Sequence, residues 1–352
     1  MIILNSKNYT KQAIKKASVF LKSQTKEKGV YGSEKMLLWR LKNKGRANSA
    51  VAIIRRSERI VSILSCTGKN LWINQKKRFY GEIGDAYTHK SFRRRGYMWK
   101  ALAYFCTNYQ KLNLNGLYST PWKNAESVPA MKNKAGFISN ESLNLVNRIF
   151  LLKPFKKIMP KKMYIPKIDT AFQDVILHLF NNLDRMFLRM LYPIIVKKYK
   201  ALPKKWDDCI WQKIKNNFEI VFERSKKYMQ WRYFDSPQKY TLCLLNKKER
   251  PVGYFIYSIQ RKSFLLADLY VEKPTFFLFF KILKYCIELS IQKKTDRVIF
   301  WSSPGTMLDC VSKLMLFAKG SQIMPLFFSP EMKRKKNKRP SFLFQMGDSD
   351  NV

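Results

Sequence analysis

Residues 82–102 read EIGDAYTHKSFRRRGYMWKAL. An extended segment carrying Ile83, Ala86 and Thr88 runs into a turn with Arg93, Arg94 and Arg95 that ends at Gly96. A segment of helical period follows at once, with Tyr97, Ala101, Leu102 and Phe105 on one face. A strand that passes through a glycine-bearing turn into a helix leaves the first helical amides without partners. Those amides and the helix dipole together favour an anion. The three arginines add formal charge where a pyrophosphate would sit.

Downstream comes a second strand, Leu114–Ser119, and then PWKNAESVPAMKNKAGF, residues 121–137. In this order the chain resembles the GNAT N-acetyltransferase superfamily. That superfamily's acetyl-CoA core is a strand, an R-x-x-G-x-(G/A) loop, a helix, a splayed second strand and an Asn-led helix closing on Gly-Phe. Arg93 and Gly96 fall at the loop positions, and Asn124, Ser127, Pro129, Gly136 and Phe137 fall in the second half. The resemblance spans residues 80–137 and is nearest to members from bacterial polysaccharide gene clusters. It implies that pantetheine pairs with the backbone of Ala86, Tyr87 and Thr88. It also implies that the amides from Arg94 through Arg95, Gly96 and Tyr97 to Met98 take the pyrophosphate, and that Asn124 touches the cofactor. Two residues depart from the pattern. Met98 replaces a small residue, and Met131 stands where many relatives carry a Tyr that protonates the leaving thiolate.

The chain has 352 residues, enough for two domains with cores of their own. Its 46% hydrophobic and 14% aromatic content fits a packed protein and argues against disorder. Lys and Arg number 68 against 24 Asp and Glu, a net charge of +44. Such a field favours polyanions: CoA, an acidic glycan, an anionic lipid surface or RNA. A Lys-rich composition bias would also raise the charge, and charge alone does not choose among these partners. Cys66, Cys106, Cys209, Cys243, Cys286 and Cys310 show no CxxC spacing and read as reduced thiols of a cytoplasmic protein. With two histidines, His89 and His178, no His-based metal site is expected. The opening MIILNSKNYTKQAIKK is too short in apolar run for a signal core. Lys281, Lys284 and Glu288 interrupt the apolar stretch Thr275–Ile291, which reads as a buried helix and not a membrane span.

The chain repeats itself once. Residues 35–64 and 227–256 align Trp39-Arg40 with Trp231-Arg232, and Glu58-Arg59-x-Val61 with Glu249-Arg250-x-Val252. In each copy a Trp-Arg helix end precedes two strands joined by a charged turn. The second copy continues with a strand (264–271), a helix (275–292), a strand (297–302) and a helix (307–319). Its loop, VEKPT, has no R-x-x-G, and Pro274 removes an amide donor. The expected organisation is therefore α/β, tandem GNAT-like mixed sheets with flanking helices in two lobes. Residues 1–150 form the acetyl-CoA lobe, 151–205 a helical connector, and 206–352 a second lobe without CoA binding. The tandem order resembles Fem-type transferases and other two-lobe GNAT proteins. Within the connector, residues 171–192 show an amphipathic period that suits packing across both lobes, or else lying on a membrane surface, and Pro193 is expected to stop or kink the helix. The run 333–339, KRKKNKR, reads as a solvated loop or a polyanion contact.

Acyl transfer from CoA to an amine needs positioning, a donor for the thioester oxygen and a route for the ammonium proton. Asp85 and His89 are the catalytic candidates. Glu82 is a further carboxylate, expected to face away from Asp85 because the spacing is odd. An ordinary ion pair for the carboxylates and a capping role for His89 are the structural alternatives. Tyr118 and Tyr87 are candidate acids. The tail, with Asp348, Asp350 and the carboxylate of Val352, is expected to fold back to the cleft between the lobes. The leading expectation is acetyl or other acyl transfer to an amino sugar or cell-envelope precursor, in the cytoplasm or at the inner membrane surface, without a metal. The alternatives are a Fem-like transferase using aminoacyl-tRNA, and a non-catalytic polyanion-binding protein on the same scaffold.

Overall fold

A computed structural model of the chain describes all residues except 26–31, 43–47, 155–158, 160–164, 184, 186–194, 200, 205, 248–249, 335–340 and 350–352. The first half supplies β1 (Ile2–Asn5), β2 (Ala50–Arg56), β3 (Arg59–Ile73), β4 (Lys76–Thr88), β5 (Gly116–Ser119), β6 (Ile138–Ser139) and β7 (Leu145–Leu151). The second half supplies β8 (Ile195–Tyr199), β9 (Ile220–Phe222), β10 (Thr241–Lys247), β11 (Arg250–Gln260), β12 (Ser263–Val271), β13 (Arg297–Ser302), β14 (Ala318–Ile323), β15 (Leu326–Phe328) and β16 (Phe342–Leu343). Among the described residues they form two mixed sheets. One runs β1-β2-β3-β4-β5-β15-β6 with β9 and β16 attached through β3, and the other runs β14-β7-β13-β12-β11-β10-β8.

The first sheet takes β9, β15 and β16 from the second half of the sequence and the second takes β7 from the first half, so the sheets do not follow the boundaries at 150 and 206. β15 lies between β5 and β6, pairing Phe327 with Tyr118 and Ile138. β7 lies between β13 and β14, pairing Ile149 with Ile299 and Ala318. A buried ion pair fixes the second exchange: Arg148 of β7 donates from Nε to Asp309 Oδ1 at 2.9 Å.

In the first lobe, α1 (Lys11–Thr25) and α2 (Glu34–Leu41) pack on one face of the sheet through Leu21, Leu37, Leu41 and Ile63. The helix α3 (Tyr97–Asn108) covers the other face through Ala101, Leu102 and Phe105, against Leu64 and Leu117. In the second lobe the helix Phe276–Gln292 fills the corresponding place, with Thr275 Oγ1 accepting from Leu278 N at its start. The helix after β13 is shorter than its sequence period suggests. It ends at Leu314, Leu316 takes a left-handed φ of 63°, and Ala318–Ile323 is β14.

The connector helix spans Pro166–Leu183; Pro193 and most of 184–194 lie outside the described residues. It packs on the second lobe, burying Ile176 and Phe180, and the Phe180 ring meets Phe280 edge-on at 5.6 Å. Val175, Leu179 and Leu183 are exposed. The connector also contributes β8, an edge strand of the second sheet pairing with β10. No described helix is long and apolar enough to cross a membrane.

The two copies of the internal repeat meet each other. Trp39 and Trp231 stack with centroids 4.8 Å apart and planes 14° from parallel. Trp39 Nε1 donates to Trp231 O at 2.9 Å, and Trp231 Nε1 returns the bond to Trp39 O at 3.4 Å. Equivalent residues that exchange equivalent bonds are the mark of a local two-fold axis.

Candidate active site

β4 and β5 pair in parallel only over Tyr80–Gly116, Gly81–Leu117 and Glu82–Tyr118, and then part. Ser119 Oγ, donating to Ile83 O at 3.0 Å, ties the strands at the point of divergence. Beyond it a β-bulge breaks the β3–β4 ladder between Ile63 and Ser65, with Asp85 at a left-handed φ of 46°. Ala86, Tyr87 and Thr88 continue β4 on the far side of the bulge, so their edge toward β5 is open to an extended ligand.

The chain then turns through Lys90–Phe92, where His89 Nδ1 accepts from Ser91 N at 3.3 Å. Arg93 donates from Nε to Thr88 O at 3.4 Å, and the Arg95 guanidinium lies 5.5 Å from the Phe92 ring centre. Arg94 and Gly96 both take left-handed φ, 60° and 77°. Alternating conformations of this kind turn successive amides toward one point, a nest for an anion. The first helical bond of α3 is Lys100 N to Gly96 O, so the amides ahead of it are those a helix start leaves free. A Cβ on Gly96 would meet no atom beyond its chain neighbours within 4 Å, so the space beside this backbone is open. Arg93, Arg94, Arg95 and Gly96 are exposed, with Tyr97 and Met98 half-buried behind them. Asn124 is exposed in the turn before the helical segment at Ser127, and Met131 is buried in the lobe core.

Both carboxylates on β4 meet buried cations. Glu82 pairs with Lys69 at 3.1 Å, both side chains almost fully buried. Asp85 is bound by Arg40 of α2, also inside. Odd spacing predicts opposite faces for Glu82 and Asp85, but the bulge inserts an extra residue and resets the alternation. Both therefore point to the face away from α3. Tyr118 is buried, donating to Glu82 Oε2 at 3.2 Å and to Asp348 O at 3.0 Å, and Tyr87 packs toward α2.

The described part of the tail lies between the lobes. From the first lobe, Lys69 Nζ donates to Asp348 O at 3.3 Å and Thr120 Oγ1 bonds Ser349 Oγ at 2.8 Å. From the second, Arg224 holds the Asp348 carboxylate through both oxygens at 2.7 Å, and Arg232 donates to Ser349 O at 2.8 Å. Arg224 also pairs with Asp268 at 2.8 Å, whose carboxyl burial pushes above its usual range against the pull of that guanidinium. Asp350 and Val352 lie outside the described residues.

The sequence reading missed Arg40, Lys69, Arg224 and Arg232 as the residues that set this geometry. A signal existed for three of them. Lys69 is the one charged residue in the interior of the long strand 59–73, and Arg40 and Arg232 occupy the repeated Trp-Arg pair. Among the described residues no three His, Cys, Asp or Glu side chains cluster to hold a metal ion.

No family model matches the chain, and no curated protein matches it in sequence. Solved structures do match it across nearly its whole length. Saccharomyces cerevisiae N-myristoyltransferase with bound myristoyl-CoA and inhibitors superposes with a TM-score of 0.62 at 12% identity, covering 97% of this chain and 86% of that one. A tandem GNAT protein from the clavulanic acid biosynthesis pathway gives 0.59 at 10% identity, covering 93% and 97%. A probable N-acyltransferase from Enterococcus faecalis V583, a conserved protein of unknown function, gives 0.55 at 11% identity, covering 92% and 71%. Two mixed sheets, a splayed β4–β5 pair and this agreement over both halves establish that the chain has the tandem GNAT fold.

Proposed function

We propose that the protein transfers an acyl group, acetyl in the simplest case, from CoA to an amine acceptor. The observation that carries this reading is the parting of β4 and β5 directly beside the left-handed turn that opens α3. Pantetheine would pair with the open edge at Ala86–Thr88, and the pyrophosphate would lie on the amides between Arg94 and Met98, with Asn124 near the cofactor. The amine nitrogen attacks the thioester carbon, the C–N bond forms, the C–S bond breaks, and CoA leaves as the thiol with the proton that the amine gives up. His89 borders the loop, and one of its ring nitrogens remains to pass that proton. Asp85 acts by holding the bulge through Arg40. The acceptor is an amino sugar or another cell-envelope precursor, and the reaction takes place in the cytoplasm, where acyl-CoA is made. Calorimetric titration with acetyl-CoA, followed by mass spectrometry of amino sugars incubated with both, tests the reading; absence of CoA binding overturns it.

The pairing of Glu82 and Asp85 with buried cations, and a buried Met131, favour a second reading in which the fold is a non-catalytic scaffold for a polyanion. Binding of a heparin-like polymer or tRNA without CoA binding would select it.

A further inference from the structure

The second lobe repeats the parting of strands seen in the first. β12 and β13 pair in parallel from Ser263 with Arg297 to Leu265 with Ile299 and no further. Beyond that point, bordered by residues 269–271 of β12 and 301–302 of β13, lies a cavity of about 210 Å³. The tail supplies one wall through residues 342–345, with the Phe344 ring stacked on Trp301 at 6.2 Å and 7° from parallel. Phe218, Tyr270, Phe279 and Phe342 complete the aromatic lining, and Ser303 and Thr306 are among its polar residues. In a chain with 68 Lys and Arg, no charged side chain lines this cavity.

One donor of this lining is unused. Trp39, Trp206 and Trp231 give their indole N–H to backbone carbonyls. Trp301 is only 4% exposed, yet its N–H has no hydrogen-bond partner among the described residues. The atom is not sealed in as Trp72 Nε1 is, so the little surface that Trp301 keeps includes its donor. The hydroxyl of Ser303, a half-buried residue, has no partner among the described residues either. A donor taken from water without a partner costs stability, and an acceptor atom on a ligand restores the bond. We infer that this cavity binds a small uncharged molecule with one aromatic ring and a carbonyl or similar acceptor oxygen. The size fits: a cavity of ~150 Å³ takes up benzene, and about 210 Å³ leaves room for a short polar substituent. An ionised ligand is disfavoured, because its charge would be buried without a counter-charge. None of the lining residues belongs to β4, β5 or the loop at 89–96, so the inference goes beyond acyl transfer and does not rest on it.

The test uses the full chain with three probes of similar size. Acetophenone has the ring and the acceptor, ethylbenzene has the ring alone, and benzoate carries a charge. Ligand-observed saturation-transfer NMR, titrated with and without saturating acetyl-CoA, reads each dissociation constant. Acetophenone should bind saturably, and benzoate at least ~tenfold more weakly. Trp301→Phe keeps a ring in place and removes the donor, so acetophenone should lose ~threefold to tenfold in affinity while ethylbenzene holds. Met307 also lines the cavity and is 43% exposed. Met307→Trp therefore narrows the mouth without disturbing a buried residue, and should weaken both neutral probes. Acetyl-CoA should change none of these constants. Absence of saturable acetophenone binding, benzoate that binds as tightly, or acetyl-CoA that displaces the probes overturns the inference. So does a folded Trp301→Phe variant that weakens both neutral probes equally or neither. If that variant does not fold, Met307→Trp decides, and unchanged binding of both neutral probes by it overturns the placement.

Discussion

Replacing Gly96 by valine perturbs the proposed phosphate cradle at the residue where backbone and ligand meet. The cost to the fold is conformational: at φ 77° an L-residue is disfavoured by ~1–2 kcal/mol, and a β-branched one sits at the upper end. Steric cost within the protein is absent, because nothing lies within 4 Å of the added Cβ. The cost to the ligand is larger. The Cβ and its methyls occupy the space beside the amides, and relaxation of φ turns those amides away from a common point. Loss of two charge-assisted bonds at ~1.5 kcal/mol each gives ~3 kcal/mol, or ~150-fold in Kd. Calorimetry with acetyl-CoA at fixed salt, beside a thermal melt by circular dichroism, separates the two costs. The valine variant should remain folded and bind ~100-fold or more weakly, with Gly96→Ala between it and wild type. A valine variant that binds acetyl-CoA within threefold of wild type would refute the placement of the pyrophosphate.

Acetyl-CoA should bind with one site per chain, because Pro274 and the capped Thr275 open the second lobe's helix without a left-handed glycine; a fitted stoichiometry of two would contradict this. Asp309→Asn should destabilise the fold by about 3 kcal/mol at neutral pH, measured by urea unfolding, because it leaves Arg148 of the exchanged strand without its charge partner. Burial alone would push the Asp309 carboxyl up, but bonds from Lys313 and Arg148 hold it below its ordinary range. Its contribution is therefore complete above the unfolded carboxylate value, about 4, and is lost as pH falls through the folded one, so the variant should lack that part of the acid limb. Deleting residues 350–352 alone keeps the anchors at Asp348 and Ser349, and should abolish turnover while acetyl-CoA affinity holds; unchanged turnover would retire the tail from the reaction. Binding of a heparin-like polymer should fall steeply with salt, and that of acetyl-CoA far less, since each neutralised phosphate releases a counterion; equal, shallow slopes would reduce the charge of +44 to composition bias.

What the sequence made legible was local. The hairpins, the strand–loop–helix at 82–102 and the Trp-Arg repeat all depend on periods and turn residues that neighbours in the chain set. The bulge at Asp85 was not legible, because Asp is an ordinary strand-end residue and the left-handed φ is imposed by the pairing of β3 with β4. The fate of both carboxylates was hidden for a related reason. Arg40 lies in a different element from Asp85, and Lys69 meets Glu82 only through the β3–β4 register. The short helix after Thr306 was read too long because 315–319 continues an apolar period, and only the left-handed Leu316 and the edge offered by β7 turn it into β14. The exchange of β7 and β15 has no signature in local period: each is a short strand whose alternation fits either sheet, and the partner of Arg148, Asp309, lies far along the chain.

That exchange also dictates an order of events during synthesis. When residues 1–140 have left the ribosome, the strand that belongs between β5 and β6 does not yet exist, since Leu326–Phe328 follows far later in the chain. Until it arrives, the edge of β5 presents Leu117, Tyr118 and Ser119 with unpaired backbone groups, the kind of edge that invites pairing with other chains. β7 waits in the same way for β13 and β14. The nascent protein thus carries these open seams until residues 297–328 have been made, after which the tail reaches Arg224 and Arg232. Ribosomes stalled after residue 320 should hold chains that proteases cut within 116–151, and release of the full length should protect both seams in a single step.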